Sequence, residues 1–135
     1  MEPENNIEMI LDGYIESNSN KIFCVVGNAE ATSFGKYLID KFSSCERIRF
    51  LGGIYNQNFL NHLRYYSSLY FHGHSVGGTN PSLLEAMGSG ALIAAHNNIF
   101  NKAILEKDAF SSTLSLNPEV ITISIVTPII AMPIA

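Results

Sequence analysis

The stretch 68–88, SLYFHGHSVGGTNPSLLEAMG, contains an apolar run, a glycine-rich segment and a helix-start signal in immediate succession. Residues 68–71 form a short apolar run of the kind that becomes a buried strand. Asn80 is a favoured helix N-cap and Pro81 a favoured first helical residue, so the pattern predicts a helix from Pro81 that ends near Gly88. A buried strand that leads through a loop into a helix is the repeating unit of a parallel sheet.

The same alternation extends to both sides of this stretch. Apolar runs predict further strands over 21–26 and 91–95, and the segment 47–51, which ends at two glycines, predicts another short strand. Amphipathic spacing predicts further helices over 5–17, 30–42, 58–66 and 102–106. Because strands that alternate with helices form right-handed crossover units, the predicted fold class is α/β, a Rossmann-like parallel sheet flanked by helices.

The composition excludes some classes of partner. Hydrophobic residues make up 47% of the chain and charged residues 15%, which indicates a globular protein rather than a disordered one. The net charge of −4 offers no general basic surface, so we do not expect a nucleic-acid partner. Cys24 and Cys45 form no C-x-x-C motif, and no signal segment is recognised. We therefore predict a cytoplasmic protein that is at most peripheral at the inner face of the cell membrane.

The 135 residues are enough for one domain with a core. We predict a partial sugar-nucleotide-binding domain over 1–110 and an atypical apolar tail over 111–135. The tail carries no charge after Glu119, and Pro128 and Pro133 interrupt it, which argues against a membrane span. Its many β-branched residues predict a strand pair or an exposed apolar end, with no function assigned.

Residues 73–77, GHSVG, match the G-x-S-x-G pattern of the α/β-hydrolase nucleophile elbow, which makes Ser75 a candidate nucleophile. In such an elbow the helix begins directly after the serine, whereas here the helix is predicted to begin only at Pro81. Asp108 follows His96, so it does not fit the order Ser, acid, His. Glu85 would keep that order, but it lies ten residues from Ser75 on the adjoining helix, whereas the usual acid comes from a later strand end. Hydrolase activity through Ser75 is therefore the minority hypothesis.

A second interpretation of the same loop is a ligand site. In open α/β folds, ligands bind at the carboxyl edge of the parallel strands. Gly77 and Gly78 permit close approach of the backbone to a ligand, and the N-terminus of the following helix suits a diphosphate. Glu85, in the second helical turn, could accept hydrogen bonds from ligand hydroxyls. Its neighbours are apolar, so we expect this helix to be largely buried. Together these features predict a sugar-nucleotide site.

The segment GGTNPSLLEAMGSG resembles the donor-site signature E-x-F-G-x-x-x-x-E-A-M-A-x-G of retaining group 1 glycosyltransferases with the GT-B fold. EPENNIEMILDGY, KIFCVVGNAE, RIRFLGGI and ALIAAHNN resemble other family segments in the expected order, over about residues 3–109. The resemblance implies one half of a GT-B fold, the C-terminal, donor-binding domain of a hexosyltransferase in surface polysaccharide or lipopolysaccharide biosynthesis.

The resemblance also implies roles for individual residues. Glu85 would bind the nucleotide ribose, and Ile54 would border the base. The loop and the helix start would contact the diphosphate and the donor sugar, and His74 would line the sugar pocket. The loop and helix-start residues concerned are Gly77, Gly78, Thr79, Asn80 and Ser82. The implied donor is a UDP-, GDP- or dTDP-sugar, with no metal and no other cofactor.

The chain departs from the family pattern at several points. Gly77 stands where the first glutamate of the signature is usual, and Asn5 stands at the position of the family lysine. The diphosphate arginine would fall before Met1, and the N-terminal acceptor domain is missing. We therefore expect no activity from this polypeptide alone and assign no catalytic residue.

One further alternative remains open at the level of sequence. The chain could be a non-catalytic nucleotide-binding or interaction module with the same fold. His72, His74 and His96 could suggest zinc, but no cysteine or acidic residue stands at ligand spacing, and we favour loop and ligand-facing roles.

Overall fold

A computed structural model describes residues 1–78, 80–105 and 129–131 and has a mixed α/β architecture. The helices of this part are α1 (Ile7–Glu16), α2 (Ser33–Phe42), α3 (Gln57–Tyr66), α4 (Pro81–Gly88) and α5 (Ile99–Leu105). Its strands are β1 (Phe23–Val26), β2 (Ile48–Gly52), β3 (Leu69–His72), β4 (Ile93–Ala95) and β5 (Ile129–Ala131). Short 3-10 turns lie over Pro3–Asn5 and Ala29–Ala31. The predicted alternation of strands and helices is confirmed through α5.

Polar caps set where the helices begin. Asn80 caps α4 by accepting a hydrogen bond from the Ser82 N–H, as its sequence predicts. The helix predicted from residue 30 begins instead at Ser33, because the Thr32 hydroxyl accepts a hydrogen bond from the Gly35 N–H at 3.0 Å. The three preceding residues form the 3-10 turn Ala29–Ala31.

The strands form a single parallel sheet in the order β2-β1-β5-β3-β4. The central strand, β5, comes from the apolar tail. Phe23 of β1 and Leu69 of β3 are both in register with Ile129. Without β5 the described strands would form two separate pairs, β1 with β2 and β3 with β4. The rest of the tail lies outside the described residues.

Helices cover both faces of the sheet. On one face, Phe23 and Val25 of β1 pack in a core cluster with residues of α1 and α2 such as Leu11 and Leu38. On the other face, Val26 packs in a cluster with residues of α3, α4 and α5. Alternate residues of β1 therefore serve opposite cores, as a strand buried on both faces requires. In parallel sheets with helices on both faces, ligands bind at the carboxyl ends of the strands.

Helix α4 is buried on one face only. Leu83 and Ala86 are fully buried, whereas Leu84 is 48% and Met87 40% exposed. The expectation of a largely buried helix is therefore wrong, because an eight-residue helix at the sheet surface buries only the residues that face the strands.

Candidate functional site

A pocket of about 540 Å³ lies at the carboxyl ends of β1 and β2, beside the first turns of α4. Its volume is in the range of small-molecule sites. Part of the wall is formed by the end of β1 and the residues after it (26–28), by the chain after β2 (53–55) and by the N-terminal Met1 and Glu2. Helices α3 and α4 contribute Leu60, Arg64, Pro81, Ser82 and Glu85. The structure thus brings together three of the predicted site residues: Ile54, Ser82 and Glu85.

Asn80 lies directly before this wall and is buried, with 4% of its surface exposed. Its side-chain oxygen accepts hydrogen bonds from both the N–H and the hydroxyl of Ser82, at 3.0 and 2.9 Å. Asn80 therefore fixes the first turn of α4 and the Ser82 side chain. In the described structure its carboxamide oxygen acts as a cap.

Glu85 forms an ion pair with Arg64 of α3, with 2.8 Å between Arg64 Nη2 and Glu85 Oε2. The side chain of Arg64 is completely buried, whereas that of Glu85 is 42% exposed. A second bond runs from Arg64 Nη1 to Asn61 Oδ1 at 3.2 Å. The carboxylate is therefore held from the protein side while it still reaches solvent.

The glycine-rich loop lies next to the pocket, and His74, Gly77 and Gly78 are not among its wall residues. Gly77 and Gly78 are exposed, and Gly77 has a left-handed φ of +84°, which favours glycine. The side chain of His74 is within 3.4 Å of the Asn5 side chain. Thr79 lies outside the described residues.

Residues 73–75 of the loop are docked on the N-terminal segment 2–6. The Asn6 side chain donates a hydrogen bond to the Gly73 carbonyl at 2.7 Å. Both the N–H and the hydroxyl of Ser75 donate to the carbonyl of Glu4, at 3.0 and 3.1 Å. Within the described ranges, no hydrogen bond joins Ser75 to a histidine. The Ser75 hydroxyl is therefore bonded to a backbone carbonyl and not to a general base.

His72, at the end of β3, is 1% exposed, and in the part of the chain that is described neither ring nitrogen has a hydrogen-bond partner. Burial, with a smaller contribution from nearby His74, lowers the pKa of His72 from 6.5 to about 4. The ring is therefore neutral at pH 7. Burying a neutral imidazole without partners costs less than burying the charged form.

This depressed pKa predicts that acid destabilises the fold well above pH 4. Between the unfolded and folded pKa values, the unfolded chain binds a proton that folded His72 does not. We expect His72 to lower the free energy of unfolding by about 2 kcal/mol between pH 7 and pH 5. Urea denaturation at both pH values tests this. His72→Phe should remove this part of the pH dependence of the unfolding free energy. His62→Asn, a change on the exposed surface of α3, should keep it. If the unfolding free energy of His72→Phe falls with pH as much as that of the parent chain, His72 is not the group responsible.

Sequence reasoning missed Arg64, Tyr55 and Asn28 as wall residues. Arg64 had a detectable signal, because it follows Leu60 by one helical turn and so lies on the buried face of α3. Tyr55 and Asn28 follow strand ends in loops, where the local pattern does not say which way a side chain points.

Among residues 1–78, 80–105 and 129–131, no group of three or more His, Cys, Asp and Glu side chains is placed to hold a metal ion. In the same ranges, no helix has the length and apolar character needed to cross a membrane.

Comparison with known proteins found no matching family model, no matching curated protein and no matching solved structure.

Proposed function

We propose that the pocket binds the nucleoside diphosphate part of an activated sugar, and that the chain is the donor-binding portion of a glycosyltransferase. The observation that carries this proposal is the position of Glu85, a partly exposed carboxylate in the wall of a pocket at the carboxyl edge of a parallel sheet. A carboxylate there can accept hydrogen bonds from two neighbouring ribose hydroxyls.

The other walls suit the remaining parts of such a ligand. Ile54 offers an apolar surface of the wall to a base. Ser82 stands in the first turn of α4, where the positive end of the helix dipole favours a diphosphate. In this proposal Gly77, Gly78, His74 and Thr79 border the donor sugar from the loop that leads into α4.

The proposal includes the finer fold assignment, a Rossmann-like half of a GT-B fold. The parallel sheet with helices on both faces supports it. Transfer needs an acceptor held in line with the donor and groups that stabilise the leaving diphosphate. In this proposal a separate domain supplies the acceptor site, and this chain alone binds the donor without transferring the sugar.

The test is calorimetric titration of the chain with UDP, GDP and dTDP and with their sugar conjugates. We expect one nucleotide to bind, and we expect Glu85→Gln to weaken that binding by about tenfold to a hundredfold, since a charge-assisted hydrogen bond is lost. Glu46→Gln is the matched control, because Glu46 is exposed and makes its hydrogen bond to Arg49 through the backbone carbonyl.

Thermal unfolding of each variant shows whether it is folded at the titration temperature. Absence of binding to all three nucleotides would refute the proposed function. Equal affinity in folded Glu85→Gln and in the parent chain would refute the ribose role of Glu85.

A further inference from the structure

Arg64 is an arginine with no exposed side-chain surface, next to a pocket. It lies on α3 among residues that pack against α4, one turn after the buried Leu60. Two of its three nitrogens donate hydrogen bonds, to Asn61 Oδ1 and Glu85 Oε2. Within the described residues its third nitrogen, Nε, has no partner.

This arrangement contributes little to the stability of the fold. A buried guanidinium loses its hydration, and only complete pairing with buried partners compensates for that loss. Here one donor is left over, and the carboxylate partner is 42% exposed, so water weakens the attraction. A methionine of similar volume would fill the same space without burying a charge. The burial of Arg64 therefore calls for a reason other than folding.

The contact with Glu85 supplies that reason. Arg64 holds only one carboxylate oxygen, Oε2, and no hydrogen bond within the described part of the chain occupies Oε1. A free glutamate side chain samples several rotamers, and a ligand that binds it must order them. The ion pair orders the carboxylate before the ligand arrives and keeps one oxygen available.

We propose that Arg64 is a positioning residue that fixes Glu85 to receive the cis-hydroxyls of a nucleotide ribose and thereby makes the site select ribonucleotides. This inference rests on the proposed function, because it assigns a specificity to the same pocket. Arg64 lines the pocket, and in this proposal it acts through Glu85.

The proposal predicts that removal of Arg64 weakens ligand binding and leaves the melting temperature nearly unchanged. Removing Arg64 leaves a half-exposed carboxylate that water can solvate, so Arg64→Met should stay folded with a melting temperature close to that of the parent chain. A residue with a merely structural role would do the opposite and lower the melting temperature. Affinity for a ribonucleotide should fall, because the carboxylate is no longer fixed.

The experiment titrates the full chain with UDP and GDP and with their 2′,3′-dideoxy counterparts. We expect Arg64→Met to weaken binding of the preferred ribonucleotide by about tenfold and to leave the dideoxy compound unchanged within about twofold. Arg64→Lys, which restores a cation beside Glu85, should recover part of the loss. Arg49→Met, at an exposed arginine of β2, should change neither affinity.

The outcomes separate the two proposals. If the parent chain binds none of UDP, GDP and dTDP, the proposed function fails and this inference fails with it. If it binds dTDP alone, only the selection of ribonucleotides is overturned. If the parent chain binds and folded Arg64→Met binds the ribonucleotide equally well, only the positioning role is overturned. Equal losses for the ribonucleotide and its dideoxy form would also overturn it, since the effect would not pass through the hydroxyls.

Discussion

Ile130→Pro is expected to destabilise the fold by about 3 kcal/mol or more, a large part of the stability of a small domain. Residue 130 is in register with Cys24 of β1 on one side and with Tyr70 of β3 on the other. Proline has no N–H to donate, and its ring cannot be accommodated in the middle of a sheet. The two strand pairs would then lose the strand that joins them.

Urea denaturation followed by circular dichroism measures this loss. Ile130→Val is the control, because valine keeps the backbone N–H and the β-branched side chain. We also expect Ile130→Pro to lose affinity for any nucleotide that the parent chain binds. A midpoint within error of that of the Val variant would show that residues 129–131 do not form the central strand.

Gly73→Ala is expected to cost about 3 kcal/mol through a clash between two backbone segments. A Cβ at Gly73 would overlap the carbonyl oxygen of Asn5 and lie 2.8 Å from Ile10 Cδ1. The backbone oxygen cannot rotate away, so the loop and the N-terminal segment 2–6 must separate. Their separation would break the hydrogen bonds that Ser75 donates to Glu4.

Gly88→Ala is the matched control, because a Cβ at Gly88 meets nothing within 4 Å. Alanine also has the higher helix propensity, so this variant should be neutral or slightly more stable. The comparison uses the urea midpoints of the two variants. Equal midpoints would mean that the first glycine of GHSVG is not needed for close packing.

The part of the fold that local patterns determine could be predicted. Strands β1, β3 and β4 lie in largely apolar runs, and α4 has an N-cap and a proline at its first residue. Their parallel arrangement follows from alternation with helices. The three residues of β5 could not be placed, because the tail is uniformly apolar and its partners, β1 and β3, are far away in the chain.

The candidate site likewise contains residues that local patterns predict and contacts that they do not predict. Glu85 and Ser82 could be predicted because a helix start that follows a strand in a parallel sheet lies at the ligand edge. The position of Ile54 in the same wall was expected from the family resemblance. The packing of Gly73 against Asn5 could not be predicted, since it depends on where the chain's first residues lie in three dimensions.

The central position of β5 has a consequence for how the chain is made. Residues 129–131 leave the ribosome after all the other described strands, so β1 and β3 each wait with one edge unpaired during synthesis. Unpaired edges of apolar strands readily pair with other chains, and contacts between distant segments form slowly. Translation is therefore the interval in which this protein is most exposed to aggregation, and the interval ends when its tail enters the sheet.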